Sequence, residues 1–116
     1  MIKNRKVVVF GGSGFLGSHV ADALTENGFD VTIFDLRESK YLKKGQQMVI
    51  GDILDSSKVQ EVINGTDIVF DFAGIADIKK ANERPVDAVS YNILGTTNIL
   101  DGCVKAKVAR FIFSST

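Results

Sequence analysis

The sequence is short of several residue types, and each shortage excludes something. One cysteine, Cys103, cannot close an internal disulfide, so a reduced, cytoplasmic setting is expected. With one cysteine and one histidine, no metal-ligand spacing can be found. A single proline and the lack of repeats leave no stiff linker or repeat array to argue for. Neither charge is in surplus: fourteen Lys and Arg stand against fourteen Asp and Glu. Residues 1–58 hold eight basic and seven acidic side chains, and the remainder six and seven. Without a basic patch, nucleic-acid and membrane-surface binding have no electrostatic support. No stretch approaches the ~20 apolar residues of a membrane-spanning helix. Lys3, Arg5 and Lys6 precede only Val7–Phe10, and a secretory signal needs an apolar run of roughly 7–15 residues. The sequon Asn64-Gly65-Thr66 is then expected to have no role.

What is present reads as one globular domain. The chain has 116 residues, 45% of them hydrophobic and 9% aromatic. A chain of this size buries roughly two-thirds of its unfolded surface. Short β-branched runs alternate with helical periodicity. Residues 6–10 predict a buried strand. Residues 15–27 predict a helix with Leu16, Val20, Ala23 and Leu24 on one face, stopped by Gly28. Further strands are expected at 30–35, 47–50, 67–72 and 110–114, with a polar, basic loop over 36–45. A helix over 56–63 is closed by Asn64-Gly65. Pro85 suits the first turn of a long helix to about residue 104, with Val86, Val89, Ile93, Thr97 and Leu100 at helical spacing.

Strand–helix alternation with continuously apolar strands predicts an α/β fold. Its parallel sheet is covered on both faces and doubly wound in the order 3-2-1-4-5. Ending at Thr116, the chain would leave Phe111, Ile112 and Phe113 at a thinly covered sheet edge, and such edges associate. The expectation is a truncated piece of a longer protein, or a module completed by another chain.

The most specific motif is Gly11-Gly12-Ser13-Gly14-Phe15-Leu16-Gly17 between the first strand and the first helix. Glycines let the backbone turn tightly and approach a pyrophosphate, and the helix N-terminus then offers N–H donors. Asp35 ends the next strand, 18 residues after Gly17, where a carboxylate can accept hydrogen bonds from a ribose. The plainer alternative is a glycine turn that only permits close helix–strand packing. Ser18 stands where a phosphate-binding P-loop would need Lys. Asp35 should repel a 2′-phosphate and favour NAD over NADP; Arg37 is either a phosphate contact that argues the other way or a solvated loop charge.

With these residues in place, the chain resembles the N-terminal half of an extended short-chain dehydrogenase/reductase, the NAD-dependent epimerase/dehydratase group. The resemblance spans essentially the whole chain. It rests on GGSGFLG at 11–17, Asp35, GDILD at 51–55, FDFAG at 70–74, YNILGT at 91–96 and FIFSST at 111–116. It implies a Rossmann-type domain over residues 1–116 that holds NAD. Gly11, Gly14, Phe15, Leu16 and Gly17 would surround the pyrophosphate. Asp52, with the Ile53 backbone beside it, would bind the adenine amino group. Phe72, Ala73 and Gly74 would line the cofactor, Asn92 would fix a backbone loop near the nicotinamide ribose, and Ser114 would join the cofactor set. Thr116 would be catalytic, hydrogen-bonding the reacting sugar hydroxyl. Two departures stand out: Asp71 where relatives commonly carry His, and Ala76 where UDP-galactose-type epimerases carry Lys.

The resemblance also implies a Tyr-x-x-x-Lys pair, with tyrosine as general base. Tyr41 is followed four residues later by Gly45 and Tyr91 by Gly95, so neither fits. The expected function is therefore the NAD-binding part of a nucleotide-sugar epimerase or dehydratase that works through a keto-sugar. The alternatives are a dinucleotide-binding module without turnover, or part of an NADP-linked reductase. The expected partners are a nucleotide-sugar in the complete protein and a second copy, through the sheet edge or the long helix. His19, Lys40, Lys43 and Lys44 read as surface residues, Lys79 and Lys80 as either a solvated loop pair or a contact to an anionic substrate, and Cys103 as a small buried hydrophobe.

Overall fold

The computed structural model describes residues 5–75 and 77–115. Five strands form it: β1 Lys6–Phe10, β2 Asp30–Asp35, β3 Gln46–Ile50, β4 Ile68–Asp71 and β5 Arg110–Phe113. All pair in parallel, in the order β3-β2-β1-β4-β5. This is the doubly wound sheet expected from strand–helix alternation. The register sets Phe10 of β1 beside Phe34 of β2 and Asp71 of β4. The C-terminal ends of these three strands thus lie abreast, where the winding reverses between β1 and β4.

Period-2 alternation splits the strand side chains between two cores. Val8, Phe10, Phe34 and Val69 face one side with Val59, Ile63 and Ile99. There α2 (Ser56–Ile63) packs against α5 (Thr96–Ala106). Phe10 and Phe34 are fully buried with ring centroids 5.0 Å apart, each contributing about 1.5–3 kcal/mol by burial. Val7, Val9, Val31 and Ile33 face the other side, under α1 (Phe15–Glu26).

Two helical faces differ from expectation. The buried residues of α1 are Gly17, Ser18 and Ala21, whereas Leu16 is exposed. Small residues let the helix lie close on the sheet, which keeps its glycine end near the strand tips. In the second half of the chain, Ala88, Gly95, Ile99, Gly102 and Cys103 turn inward, and the evenly spaced Val86, Val89, Ile93, Leu100 and Val104 stay exposed.

The expected single helix from Pro85 is interrupted. A short α4 (Pro85–Val89) runs into a π-helical segment (Ser90–Gly95) and then into α5. A six-residue helix, α3 (Ile78–Glu83), occupies a stretch read as irregular, because the Asp77 carboxylate accepts hydrogen bonds from the N–H groups of Lys79 and Lys80 at its start. β4 and β5 are shorter than expected, by residues 67, 72 and 114. Ala76 and Thr116 lie outside the described residues.

Candidate cofactor-binding site

The glycine loop is built by close approach. Gly11 has φ +77°, and a β-carbon there would stand 2.6 Å from the Phe72 carbonyl carbon. A side chain at that point would push β1 and β4 apart where they must touch. The Gly11 N–H donates to the Phe34 carbonyl at 2.9 Å, and its own carbonyl accepts from the Gly14 N–H at 3.2 Å. Gly17 packs against the Gly11 carbonyl. Gly14 caps α1 without any side-chain hydrogen bond. The first-turn N–H groups at Phe15, Leu16 and Gly17 therefore remain available to an anion.

Asp35 faces this loop from the end of β2. One carboxylate oxygen accepts from the Ser13 N–H at 3.0 Å, the other from the Leu36 N–H at 2.7 Å. The Ser13 hydroxyl donates to the Arg37 carbonyl at 2.7 Å. These bonds pin the acidic tip of β2 to the glycine loop and hold Asp35 half-buried. Each carboxylate oxygen keeps lone-pair capacity for a further donor, such as a pair of ribose hydroxyls.

Asp52 follows β3 in the turn before α2. Its Oδ1 accepts from the Leu54 N–H at 2.9 Å and its Oδ2 from the Tyr91 hydroxyl at 3.4 Å. The Ile53 carbonyl is held by the Asn98 side chain at 2.9 Å. Asn92 clasps Ile75 from the π-helical segment, accepting from its N–H and donating to its carbonyl. It thereby shapes the loop after β4, where Gly74 has φ +133° and no room for a β-carbon beside the Asn92 Oδ1.

A cleft of about 470 Å³ opens across the strand tips. It gathers Gly11, Gly14, Asp35, Arg37, Ile53, Phe72, Ala73 and Gly74 of the sequence-predicted set. A second hollow of about 630 Å³ beside it is lined by Phe15 with Ser13, Asp35, Arg37 and Lys40. Asp52 and Asn92 do not line the cleft, but they hydrogen-bond Tyr91 and Ile75, which do. Ser114 is exposed after β5, its N–H 3.4 Å from the Asp71 carbonyl, and lines neither cavity. Sequence reasoning missed Arg84 and Tyr91, which line the cleft together with Lys80. The cap at Asp77 was the available signal for Arg84, since it starts the helix that Arg84 ends.

Asp71 ends β4 beneath the cleft, 2% exposed. Burial pushes its carboxyl up to about 6, against the Ala73 N–H and the Thr96 hydroxyl. Its Oδ1 accepts from Ala73 N–H at 3.0 Å; its Oδ2 has no partner among the described residues. Burial, then the Asp71 charge, raises the Cys103 thiol to about 11, leaving an inert buried group. Among the described residues there is no metal-ligand cluster, and no helix is long and apolar enough to cross a membrane.

The site's donor set fits a dinucleotide: open N–H groups at a helix start, glycines that admit a phosphate, and a carboxylate at the tip of the next strand. Comparison with known proteins points the same way. The model of the NAD dependent epimerase/dehydratase family matches residues 7–116. UDP-N-acetyl-alpha-D-glucosaminuronate decarboxylase of Bacillus cytotoxicus is 36% identical over 118 residues, covering 97% of this chain and 36% of the relative. The crystal structure of UDP-glucose 4-epimerase with UDP-glucose from Thermotoga maritima superposes with a TM-score of 0.90 at 33% identity, over 96% of this chain and 38% of that one. That of UDP-glucose 4-epimerase from Brucella ovis in complex with NAD gives 0.88 at 31%, over 96% and 35%. The chain thus spans little more than a third of the length of these relatives.

Proposed function

Because the chain belongs to the NAD dependent epimerase/dehydratase family, we propose that it is the NAD-binding part of a nucleotide-sugar epimerase or dehydratase. The observation that carries this reading is the junction of the glycine loop with Asp35, made through the Ser13 N–H. The N–H groups of Phe15, Leu16 and Gly17 take the pyrophosphate. Asp35 takes the adenosine ribose hydroxyls, Asp52 the adenine amino group, and Phe72, Ala73 and Gly74 line the dinucleotide. NAD, when bound, supplies a hydride acceptor, and the complete protein oxidises the sugar to a keto-sugar. Thr116 orients the reacting hydroxyl; Ser114, which lines neither cavity, has no contact with the cofactor in this reading.

A narrower reading has its own support. Tyr91 points at Asp52 and Tyr41 sits exposed in the β2–β3 loop. Neither phenol has a lysine four residues on, so in this reading the chain is a dinucleotide-binding module and neither tyrosine accepts the sugar proton. The exposed stripe of Val86, Val89, Ile93, Leu100 and Val104 supports homodimerisation, with edge-mediated association through β5 as the other route. A monomer by light scattering at high concentration would rule out both.

Calorimetric titration with NAD and with NADP tests the cofactor assignment. Preferred binding of NAD is expected. Tighter binding of NADP would transfer the site to an NADP-linked reductase with Arg37 on the 2′-phosphate. Failure to bind either would make the glycine loop a packing device.

A further inference from the structure

Tyr91 is among the cleft residues that the dinucleotide reading leaves without a task. It lies in the π-helical segment, one position before Asn92. An α-helix widened by an extra residue per turn is costly and often marks a functional position. Here the widened turn presents two successive side chains to two different loops. Asn92 reaches the loop after β4, and Tyr91 reaches the turn after β3. The Tyr91 ring packs against the core beneath the cleft, so its hydroxyl is delivered from a fixed base. The distance to the Asp52 Oδ2, 3.4 Å, is long for a hydroxyl donor, and the contact is loose in this state.

We propose that Tyr91 is a positioning residue for base recognition, its hydroxyl steering the Asp52 carboxylate toward the exocyclic amino group of a bound adenine. The proposal rests on the assignment of Asp52 to the adenine. Asp52 is tied at one oxygen to Leu54 and at the other to Tyr91. Without the phenol, only the Leu54 N–H fixes it, and the carboxylate can rotate about its remaining bond. Gly51 and Ile53, on either side of Asp52, line the same cleft as Tyr91. The phenol donates throughout the neutral range at its ordinary value, and burial and then the Asp52 charge hold it higher still. A carboxylate accepts from the 6-amino group of adenine and repels the 6-carbonyl of hypoxanthine, so its placement sets selectivity between the two bases.

The test compares NAD with nicotinamide hypoxanthine dinucleotide on the whole chain, by calorimetry. The unsubstituted protein should favour NAD by about tenfold, as for one hydrogen bond to a charged acceptor. Tyr91→Phe should lower that preference several-fold, mainly by weakening NAD, and Asp52→Asn should erase it. A role in packing alone would weaken both ligands equally; an unchanged ratio in Tyr91→Phe overturns the proposal while leaving the NAD reading intact. Absence of any dinucleotide binding by the unsubstituted chain overturns both. A second measurement needs no ligand. Tyr41 and Tyr91 are the two tyrosines of the chain, so Tyr41→Phe leaves one phenol to follow by ultraviolet titration. Adding Asp52→Asn should lower its midpoint by about half a pH unit. An unmoved midpoint would show that the two side chains do not interact, and would overturn the proposal.

Discussion

Asn92 holds Ile75 by both ends of its peptide: Oδ1 accepts from the Ile75 N–H at 2.7 Å and Nδ2 donates to the Ile75 carbonyl at 2.9 Å. The pair joins the π-helical segment to the loop after β4, across 17 positions of sequence. An amide side chain copies the pairing that a neighbouring strand would provide. Asn92→Ala leaves the Ile75 N–H and C=O to water. Each lost bond is worth about 0.5–1.5 kcal/mol, so exchange of the Ile75 amide should speed by about tenfold or more. The Tm should move little, because Asn92 is exposed and the core is untouched. Unchanged exchange at Ile75 by NMR would mean the loop is held by something else.

Gly11 cannot be exchanged for alanine without cost. Its positive φ alone disfavours a side chain by about 1–2 kcal/mol, and the added methyl meets the Phe72 backbone at 2.6 Å. Gly11→Ala should lower unfolding stability by about 3 kcal/mol in urea titrations, and dinucleotide binding should be lost with it. A fall below about 1 kcal/mol would show that the β1–β4 junction can open.

Strand positions were legible because a parallel sheet buried on both faces forces continuous apolar runs such as VVVF at 7–10, and sheet order because strand–helix alternation implies the doubly wound topology. The glycine loop and Asp35 were legible because their spacing is imposed by the strand–turn–helix geometry itself. Less was visible where local chemistry outweighs periodicity. α3 is six residues long and begins at the Asp77 cap, too short to write an apolar stripe. The evenly spaced Val86, Val89, Ile93 and Leu100 read as one unbroken helix, and the extra residue per turn between Ser90 and Gly95 leaves no compositional mark. The inward faces of α1, the π-helical segment and α5 include Gly17, Ala21, Gly95 and Gly102, residues that hydrophobic patterning passes over. Tyr91 was missed for a different reason. Judged only as a catalytic base, it failed, and its contact with Asp52 spans 39 positions.

Asp35 should decide between the two dinucleotides. Its carboxylate stands at the tip of β2 with Arg37 two residues on, in the same cleft. A 2′-phosphate beside the ribose hydroxyls would be repelled by this carboxylate. Asp35→Asn keeps the shape and removes the charge. NAD should bind about tenfold more weakly, about 1.4 kcal/mol, while NADP should improve, so the ratio of the two dissociation constants moves by more than tenfold. Equal weakening of both ligands in calorimetry would mean that Asp35 acts by bracing Ser13 rather than by charge.

Asp71 should make stability fall as pH rises. Its carboxyl titrates near 6 in the folded chain and near 3.8 when unfolded, because burial penalises the charged form. Below about 3.8 both states hold the proton, and the group is without penalty. Between 3.8 and 6 the unfolded chain releases the proton and the folded chain keeps it, so stability declines through this window. Above 6 the whole penalty is present, about 3 kcal/mol from the size of the shift. Cys103, the titratable neighbour on α5, stays a thiol throughout, being held near 11. Asp71→Asn keeps an acceptor for the Ala73 N–H and removes the charge. Other carboxylates titrate in the same range, so the difference between variant and parent is the quantity to follow. Relative to the parent, the variant should gain about 3 kcal/mol in urea unfolding between pH 4 and pH 7. A difference that stays constant across this range would mean that the Asp71 carboxylate finds a compensating partner when charged. Turning the Thr96 hydroxyl, already a counterweight to burial, away from the Asn92 carbonyl that it meets at 3.0 Å would supply one.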